Sequence, residues 1–214
     1  MNVQTHLNAM LFDHPELKSA QDKIQSAYAM IAESFAAGGK LLLCGNGGSA
    51  CDCEHIAGEL MKGFQLKRPL TPSEKDALTA RGAEGGLLAE SLQRGLPVLV
   101  LSGLIGFSTA FANDADPAMC YAQQAFVYAG ENDVLLALST SGNARNVRLA
   151  AVAAKARGAK VIALTGEGGG ALAAASDLLV DVPQRETYRV QELHLAVYHC
   201  LCLMLEAHFF GKED

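Results

Sequence analysis

Two histidines and a glutamate are the residues best suited to acid–base chemistry in this sequence. His55 and Glu59 are four residues apart in a segment with helical spacing, which places both side chains on one helix face. From one face, both side chains would reach a single substrate or a single metal ion. A solvated polar pair is the alternative interpretation, and the spacing taken alone favours it.

The last long apolar segment carries a second group of polar residues, Gln191, His194 and His199. Leucine, valine and tyrosine surround them, which is typical of a core helix, and a single histidine there is more often a packing residue than a ligand. Gln191 and His199 are eight residues apart, so one straight helix would separate their backbones by about 12 Å.

A glycine-rich loop follows the first predicted strand and precedes the helix of His55. It contains Asn46, Gly47, Gly48 and Ser49. Glycine lets backbone N–H groups approach a ligand closely, and a helix N-terminus favours an anion. The loop lacks the spacing of a dinucleotide-binding fingerprint and the lysine of an NTPase loop, so we expect no nucleotide cofactor. A plain turn is the alternative interpretation.

A second polar loop also joins a predicted strand to a predicted helix. It contains Ser139, Thr140, Ser141 and Asn143, which places three hydroxyls beside a helix N-terminus. Hydroxyls and free amides together would hold a phosphate without lysine. An ordinary N-cap is the alternative, although it needs only one such residue.

The elements that must position these residues alternate between strand and helix. Five apolar runs are predicted strands: Lys40–Gly45, Pro97–Ser102, Asp133–Ser139, Lys160–Gly166 and Asp177–Pro183. Unbroken apolar runs are typical of parallel strands that are buried on both faces. With helices at Asn143–Arg157 and Val190–Phe210, the pattern predicts an α/β three-layer sandwich of the flavodoxin-like type, with a five-stranded parallel sheet.

Two further segments are predicted to be helical. Residues 1–38 form N-terminal helices, with a break at His14-Pro15. Residues 71–95 fit the alternation of strand and helix poorly: a capping box at Thr71 starts one helix, Gly82 and Gly85-Gly86 are breaks, and Leu87–Gln93 is a second helix. We expect a single domain over residues 1–214.

Composition narrows the class of protein. A net charge of −6 argues against a nucleic-acid partner, which lysine and arginine would have to bind through phosphates. The N-terminus has no pattern of a leader peptide, and the apolar runs are strand-sized, so we expect a cytoplasmic protein without a membrane partner. The six cysteines are then best interpreted as buried or inert thiols.

Taken together, the motifs resemble the SIS family of sugar isomerases, and within it the sedoheptulose 7-phosphate isomerases. The resemblance covers residues 30–210. Its motifs are Cys44-Gly-Asn-Gly-Gly-Ser49, Asp52, His55-Ile-Ala-Gly-Glu59, Ala112-Asn113-Asp114, Ser139-Thr-Ser-Gly-Asn143, Leu164-Thr-Gly166 and Val190-Gln-Glu-Leu-His194 followed by His199. Their order and spacing carry the resemblance, because each motif alone is weak.

The resemblance implies an aldose–ketose isomerisation through an enediol, in heptose biosynthesis. It implies Glu59 as the base at the C1–C2 unit and His199 as the partner acid/base. It also implies zinc as a metal in some members, bound by His55, Glu59, Gln191 and His199. The implied substrate-binding residues are Asn46, Gly47, Gly48, Ser49, Asn113, Asp114, Ser139, Thr140, Ser141, Asn143 and Gln191.

The resemblance further implies a homo-oligomer, a tetramer, whose site takes residues from two chains. One straight helix would hold Gln191 and His199 too far apart for one ion, so the simplest arrangement takes one from each neighbouring chain. His55 and Glu59 would come from a single chain.

Two non-enzyme alternatives remain open at this stage. A related regulatory protein binds the replication initiator DnaA and lacks the glutamate and the final histidine that this chain has at Glu59 and His199. The second alternative is a sugar-phosphate sensor without turnover.

Two departures from the family pattern concern the substrate. Ala144 stands where the isomerases commonly have a serine, which removes one phosphate hydroxyl. The insertion at 71–95 is about twenty-five residues longer than usual and would act as a lid that changes which sugar fits.

Overall fold

The computed structural model describes residues 2–211, which form nine α-helices and five strands. The helices are α1 Val3–Asp13, α2 Gln21–Ala36, α3 Gly48–Met61, α4 Pro72–Thr79, α5 Ala83–Ser91, α6 Ile105–Asp114, α7 Cys120–Tyr128, α8 Arg145–Ala156 and α9 Thr187–Phe210. The strands are β1 Leu41–Cys44, β2 Val98–Val100, β3 Val134–Ser139, β4 Lys160–Thr165 and β5 Leu178–Asp181. Residue 1 and residues 212–214, which the single-domain prediction included, lie outside the described residues.

The five strands form one parallel sheet in the order β2-β1-β3-β4-β5. Each strand lies inside one of the runs predicted from the sequence. Because successive residues of a strand face opposite sides, Leu41 and Leu43 pack against α1, α2, α3 and α9, while Leu42 and Cys44 pack on the side of α7 and α8. The predicted three-layer α/β sandwich is confirmed.

The strand order changes direction between β1 and β3. Cys44 at the end of β1 pairs with Ala137 of β3, so the loops that follow these two strands start side by side. Doubly wound sheets bind ligands at this point, beyond the carboxyl ends of the strands. Both polar loops predicted from the sequence are therefore neighbours.

The insertion consists of two helices, as expected, but its second helix was predicted in the wrong place. α5 starts at Ala83, after Gly82 with a φ of +90°, so only the first of the two predicted breaks exists. Gly85 is inside the helix, where a Cβ atom would come within 1.9 Å of the Leu78 carbonyl oxygen. Glycine serves here to let α5 approach α4, rather than to end a helix.

The C-terminal helix α9 is long and apolar enough to span a bilayer by length and composition. It starts at Thr187, three residues before the predicted start, and 56% of its most apolar stretch is buried inside the protein. More than half of this stretch thus packs within the core of the fold.

The cysteines are free thiols. Five of the six are buried and Cys51 is exposed. Burial raises the pKa of both Cys44 and Cys200 to about 12, so these two stay protonated at neutral pH. The interpretation as buried thiols is confirmed for these five cysteines, and that of Cys51 as an inert thiol stays a prediction.

His194 is a core residue, as predicted, but it is not a satisfied one. It is fully buried, and neither ring nitrogen has a hydrogen bond of good geometry among residues 2–211, although the Thr165 backbone lies within range of a weak one. Burial lowers the pKa of His194 to about 4, and the Thr165 backbone offsets this only in part. The ring is therefore neutral in the folded protein at pH 7.

Because His194 is buried in its neutral form, we expect the stability of the fold to fall at acidic pH. The pKa of His194 is lower in the folded state than in the unfolded state, so the unfolded state binds the proton first as the pH falls from about 6.5. We expect folding free energy of about 3 kcal/mol to be lost between pH 6.5 and pH 4 from this residue alone. Urea unfolding of wild type and His194→Leu across this range measures it. An equally steep pH dependence in the variant would contradict the prediction.

Candidate active site

The predicted acid–base residues lie on two helices that run side by side in the same direction, α3 and α9. Gly48 at the start of α3 lies against Gln191 near the start of α9. Two turns further along, His55 meets His199. Beyond them, the end of α3 is joined to Glu206. The two helices thus meet at three levels: Gly48 with Gln191, His55 with His199, and the loop after α3 with Glu206.

His55, Glu59 and His199 come together within a single chain. The Nε2 atom of His55 is 3.3 Å from Oε1 of Glu59 and 3.4 Å from Nε2 of His199. The His55 side chain is 43% exposed and that of Glu59 is 15% exposed, so a ligand can reach them from solvent. Burial lowers the pKa of His199, the nearby His55 lowers it further, and Glu59 opposes both. His199 is consequently held toward its neutral form, which can both accept and donate a proton.

Two residues behind this cluster orient the His55 ring. The Tyr198 hydroxyl is 3.1 Å from Nδ1 of His55 and 3.2 Å from Oδ1 of Asp52. A hydroxyl has one proton, so donation to Asp52 leaves Tyr198 to accept a hydrogen bond from Nδ1 of His55. Nε2 of His55 then carries the lone pair that faces Glu59 and His199. Burial raises the pKa of Asp52, and Tyr198 and His55 counter it in part.

The glycine loop forms the first level of the site. Gly47 has a φ of +54° and precedes α3 without any side-chain cap, while the amides of Ser49 and Ala50 donate to the carbonyl oxygens of Asn46 and Gly47. Asn46 exchanges two side-chain hydrogen bonds with Asn146 of α8, at 2.9 and 2.8 Å. The Tyr121 hydroxyl donates to the Gly45 carbonyl oxygen at 2.8 Å. Ser49 is buried beneath the loop.

The serine loop lies beside the glycine loop. Ser139 is buried, whereas Ser141 and Asn143 are exposed. The Ser141 Oγ atom accepts a hydrogen bond from the Asn143 amide at 3.2 Å, and the Asn143 carboxamide oxygen accepts one from the Ala171 amide at 3.0 Å. Thr140 accepts from the Gly166 amide through its carbonyl oxygen. These hydrogen bonds fix the backbone of the loop, while the Ser141 side chain stays exposed.

Ala144, the first departure from the family pattern, is the N-cap residue of α8. Its side chain offers no capping hydrogen bond, although the Asn146 carboxamide oxygen accepts one from the Val147 amide at 3.0 Å. Uncapped amides at a helix N-terminus are donors for an anion. The missing hydroxyl therefore leaves the backbone donors in place.

Two predicted groups do not join the acid–base cluster. Gln191 lies at the glycine loop, where a Cβ atom added to Gly48 would be 2.3 Å from its Nε2 atom. Asn113 and Asp114 are exposed at the end of α6, and the Asn113 carboxamide donates to Asp114 at 2.9 Å. Within one chain, these residues lie apart from His55, Glu59 and His199.

The donor atoms of the cluster suit a zinc ion in type. His55 and His199 offer imidazole nitrogens and Glu59 offers a carboxylate oxygen, the ligands that zinc prefers besides thiolate. Over the described part of the chain, however, no three His, Cys, Asp or Glu side chains are arranged as a ready metal site. Gln191, the fourth predicted ligand, is at the other level of the helix pair.

The third level is a buried ion pair that sequence reasoning missed. Arg68 is 2% exposed and Glu206 is 1% exposed. The Arg68 guanidinium contacts Oε1 of Glu206 at 2.9 Å and donates to the carbonyl oxygens of Leu60 at 2.6 Å and Glu59 at 3.1 Å. Burial would raise the pKa of Glu206, but its backbone amide donors and Arg68 outweigh this and hold it below the usual value.

The insertion is attached close to the acid–base cluster. Its last residues return along the loop after α3, where the Gln93 carboxamide oxygen accepts a hydrogen bond from the Gly63 amide at 2.9 Å. A cleft of about 540 Å³ lies between this loop and α5. Phe64 lines the cleft, and its ring is 5.7 Å from that of His199. The insertion is therefore a neighbour of the site.

Comparison with known proteins gives consistent results. Residues 14–83 and residues 113–204 each match a family described as SIS domain. The chain is 37% identical to the phosphoheptose isomerase of Thiobacillus denitrificans, with 92% of this chain and 93% of that protein covered. It is similar to the structure of phosphoheptose isomerase GmhA from Neisseria gonorrhoeae, at a TM-score of 0.72 and 29% identity, with 96% and 97% covered. A phosphoheptose isomerase from Francisella tularensis gives a TM-score of 0.74 at 26% identity, with 95% of both chains covered.

Proposed function

This chain belongs to the SIS domain family and is a phosphosugar isomerase, and from that premise we propose that it converts sedoheptulose 7-phosphate into D-glycero-D-manno-heptose 7-phosphate. The observation that carries the proposal is the meeting of His55, Glu59 and His199 on α3 and α9. The glycine loop lies at the start of α3, and the serine loop lies beside it at the start of α8, because β1 and β3 are neighbours in the sheet. A phosphate site and an acid–base site are thus parts of one surface.

The distance between the two levels supports a long substrate. His55 is seven residues after Gly48, which corresponds to about 10 Å along α3. A seven-carbon sugar phosphate carries its phosphate at the end opposite to the C1–C2 unit. We propose that the loops hold the phosphate and that the C1–C2 unit lies against Glu59 and His199.

The reaction requires a proton to move between neighbouring carbons. The Glu59 carboxylate removes a proton from C1 of the ketose, the electrons form the C1–C2 double bond of the enediol intermediate, and neutral His199 carries the proton of the C1 hydroxyl to the C2 oxygen. Glu59 then returns its proton to C2 as the C1 oxygen becomes the carbonyl oxygen of the aldose. The His55 ring, which Tyr198 orients, lies 3.3 Å from the Glu59 carboxylate.

Zinc binding by His55, Glu59, Gln191 and His199 is part of the proposal. A zinc ion would polarise the sugar carbonyl as a Lewis acid. Because Gln191 lies at the glycine loop of its own chain, we propose that this ligand comes from a neighbouring chain.

We also propose a homotetramer in the cytoplasm, with the sugar phosphate as its small-molecule partner. Exposed apolar side chains support an assembly: Phe12 on α1 is 85% exposed and Ile105 on α6 is 74% exposed. Apolar residues at such positions are typical of surfaces that another chain covers. α6 buries none of its own residues within the chain.

A turnover screen tests the substrate. Ketose and aldose phosphates of five, six and seven carbons are incubated with the protein, with and without zinc and with a chelator. We expect the highest kcat/KM for sedoheptulose 7-phosphate. Faster turnover of a shorter sugar would assign another substrate, and binding without any turnover would favour a sensor.

The serine loop gives a second, narrower prediction. Ser141→Ala removes an exposed hydroxyl at the proposed phosphate site, and a hydrogen bond to a charged group contributes about 1.5–3 kcal/mol. We expect affinity for a phosphorylated sugar to fall roughly 10- to 100-fold, with kcat little changed. Isothermal titration with a substrate phosphate analogue measures it, with the exposed Ser73→Ala on α4 as control. Equal affinity of Ser141→Ala and wild type would remove this loop from the site.

A further inference from the structure

We propose that Arg68, through its ion pair with Glu206, is a positioning residue for the isomerisation, because it fixes Glu59 on α3 relative to His199 on α9. The inference rests on the proposed roles of Glu59 and His199. It adds a residue that touches neither the reacting carbons nor the phosphate loops.

The first step of the argument is where the guanidinium is bound. The last carbonyl oxygens of a helix have no partner within the helix. Arg68 donates to two of those in α3, from Leu60 at 2.6 Å and from Glu59 itself at 3.1 Å. Its remaining contact, at 2.9 Å, goes to Glu206 of α9. The planar guanidinium of Arg68 therefore binds both the backbone of Glu59 and α9, the helix that carries His199.

The second step is that Glu206 also fixes the chain beyond Glu59. Its two carboxylate oxygens accept hydrogen bonds from the amides of Phe64 and Gln65, both at 2.8 Å. Phe64 packs on the His199 ring. The loop that follows α3, the helix of Glu59, is thus hydrogen-bonded to α9. Phe64 of this loop lies against the ring of His199.

The third step is that the pair has little freedom. Both side chains are buried, and the guanidinium also stacks at 4.5 Å over the ring of Phe210 on α9. Arginine presents several donors in a fixed plane, whereas lysine presents one compact ammonium group and cannot reproduce that geometry. A small shift of a catalytic group can cost about 100-fold in rate, so this rigidity bears on kcat.

Glu206→Gln tests the proposal, with Asp133→Asn as a matched control. Asp133 is also buried, pairs with Lys40, and accepts the amides of Lys40 and Gly130. It lies at the amino end of β3, away from the site. Both isosteric variants lose one carboxylate oxygen from a similar network, so both should lower the melting temperature.

We expect kcat of Glu206→Gln to fall roughly 10- to 100-fold, with KM and phosphate-analogue binding unchanged, while Asp133→Asn keeps the wild-type kcat. Arg68→Lys should show the same loss in kcat. Rates are measured well below the melting temperature of each variant. Hydrogen exchange of residues 60–68 should accelerate in Glu206→Gln and Arg68→Lys only.

The outcomes separate this inference from the proposed function. If wild type turns over no sugar phosphate, the proposed function fails, and hydrogen exchange still decides whether Arg68 and Glu206 hold the segment. If wild type is active but Glu206→Gln and Arg68→Lys keep its kcat, the positioning role is overturned. If neither variant folds, the pair is structural and the inference is overturned as well.

Discussion

Replacing Glu59 by glutamine is expected to lower kcat by about 10²–10⁴-fold, the usual contribution of a general base. Glutamine has the same shape but cannot accept the proton from C1. The Glu59 side chain contacts His55 at 3.3 Å and Lys62 at 3.4 Å, and an amide can occupy the same space. The fold and the binding of a phosphorylated sugar should therefore persist.

The chain offers a control on the same helix. Glu54→Gln removes one negative charge from α3 at an exposed position, one residue before His55. Both variants change net charge equally, so a loss confined to Glu59→Gln comes from the site. Steady-state kinetics with sedoheptulose 7-phosphate and titration with a phosphate analogue give the two readouts. Wild-type turnover by Glu59→Gln would remove its role as base.

Much of the fold follows from local patterns in the sequence. Parallel strands buried on both faces are continuous apolar runs, so all five strands were predictable to within one or two residues. The glycine and serine loops were predictable because a strand, a polar turn and a helix follow each other in the chain. Helix boundaries were less certain. Gly85, for example, packs against the Leu78 carbonyl oxygen, a contact that no local pattern reveals.

The surroundings of the site depend on packing between distant segments. Tyr198 was assigned to the core, yet its hydroxyl links His55 with Asp52 across more than 140 positions of the chain. Arg68 and Glu206 are 138 positions apart and nothing near either residue marks them as partners. Such pairs depend on the alignment of α3 with α9. The alignment follows from how both helices pack on the sheet, and helical periodicity alone does not encode it.

The alignment of α3 with α9 also bears on the prediction that two chains share one active site. Within a chain, His199 lies with His55 and Glu59, whereas Gln191 lies about 12 Å away along α9, at the glycine loop. A ligand that needs Gln191 and His199 together must therefore take them from different chains. The half-exposed His55 leaves this side of the molecule open to a neighbour.

Mixing two inactive variants is expected to restore activity. In a mixture of His199→Ala and Gln191→Ala proteins under subunit exchange, a site is intact when each chain supplies the residue that its neighbour lacks. Random mixing in a symmetric oligomer makes about one quarter of the sites intact, so we expect recovery to about that fraction of wild-type turnover.

The control is a mixture of His199→Ala with Glu59→Gln. These two residues belong to the same cluster of the same chain, so no combination of those chains rebuilds it. Recovery in the first mixture alone supports a shared site. No recovery despite exchange verified by mass spectrometry, or a fully active monomer in sedimentation, would show that each chain works by itself.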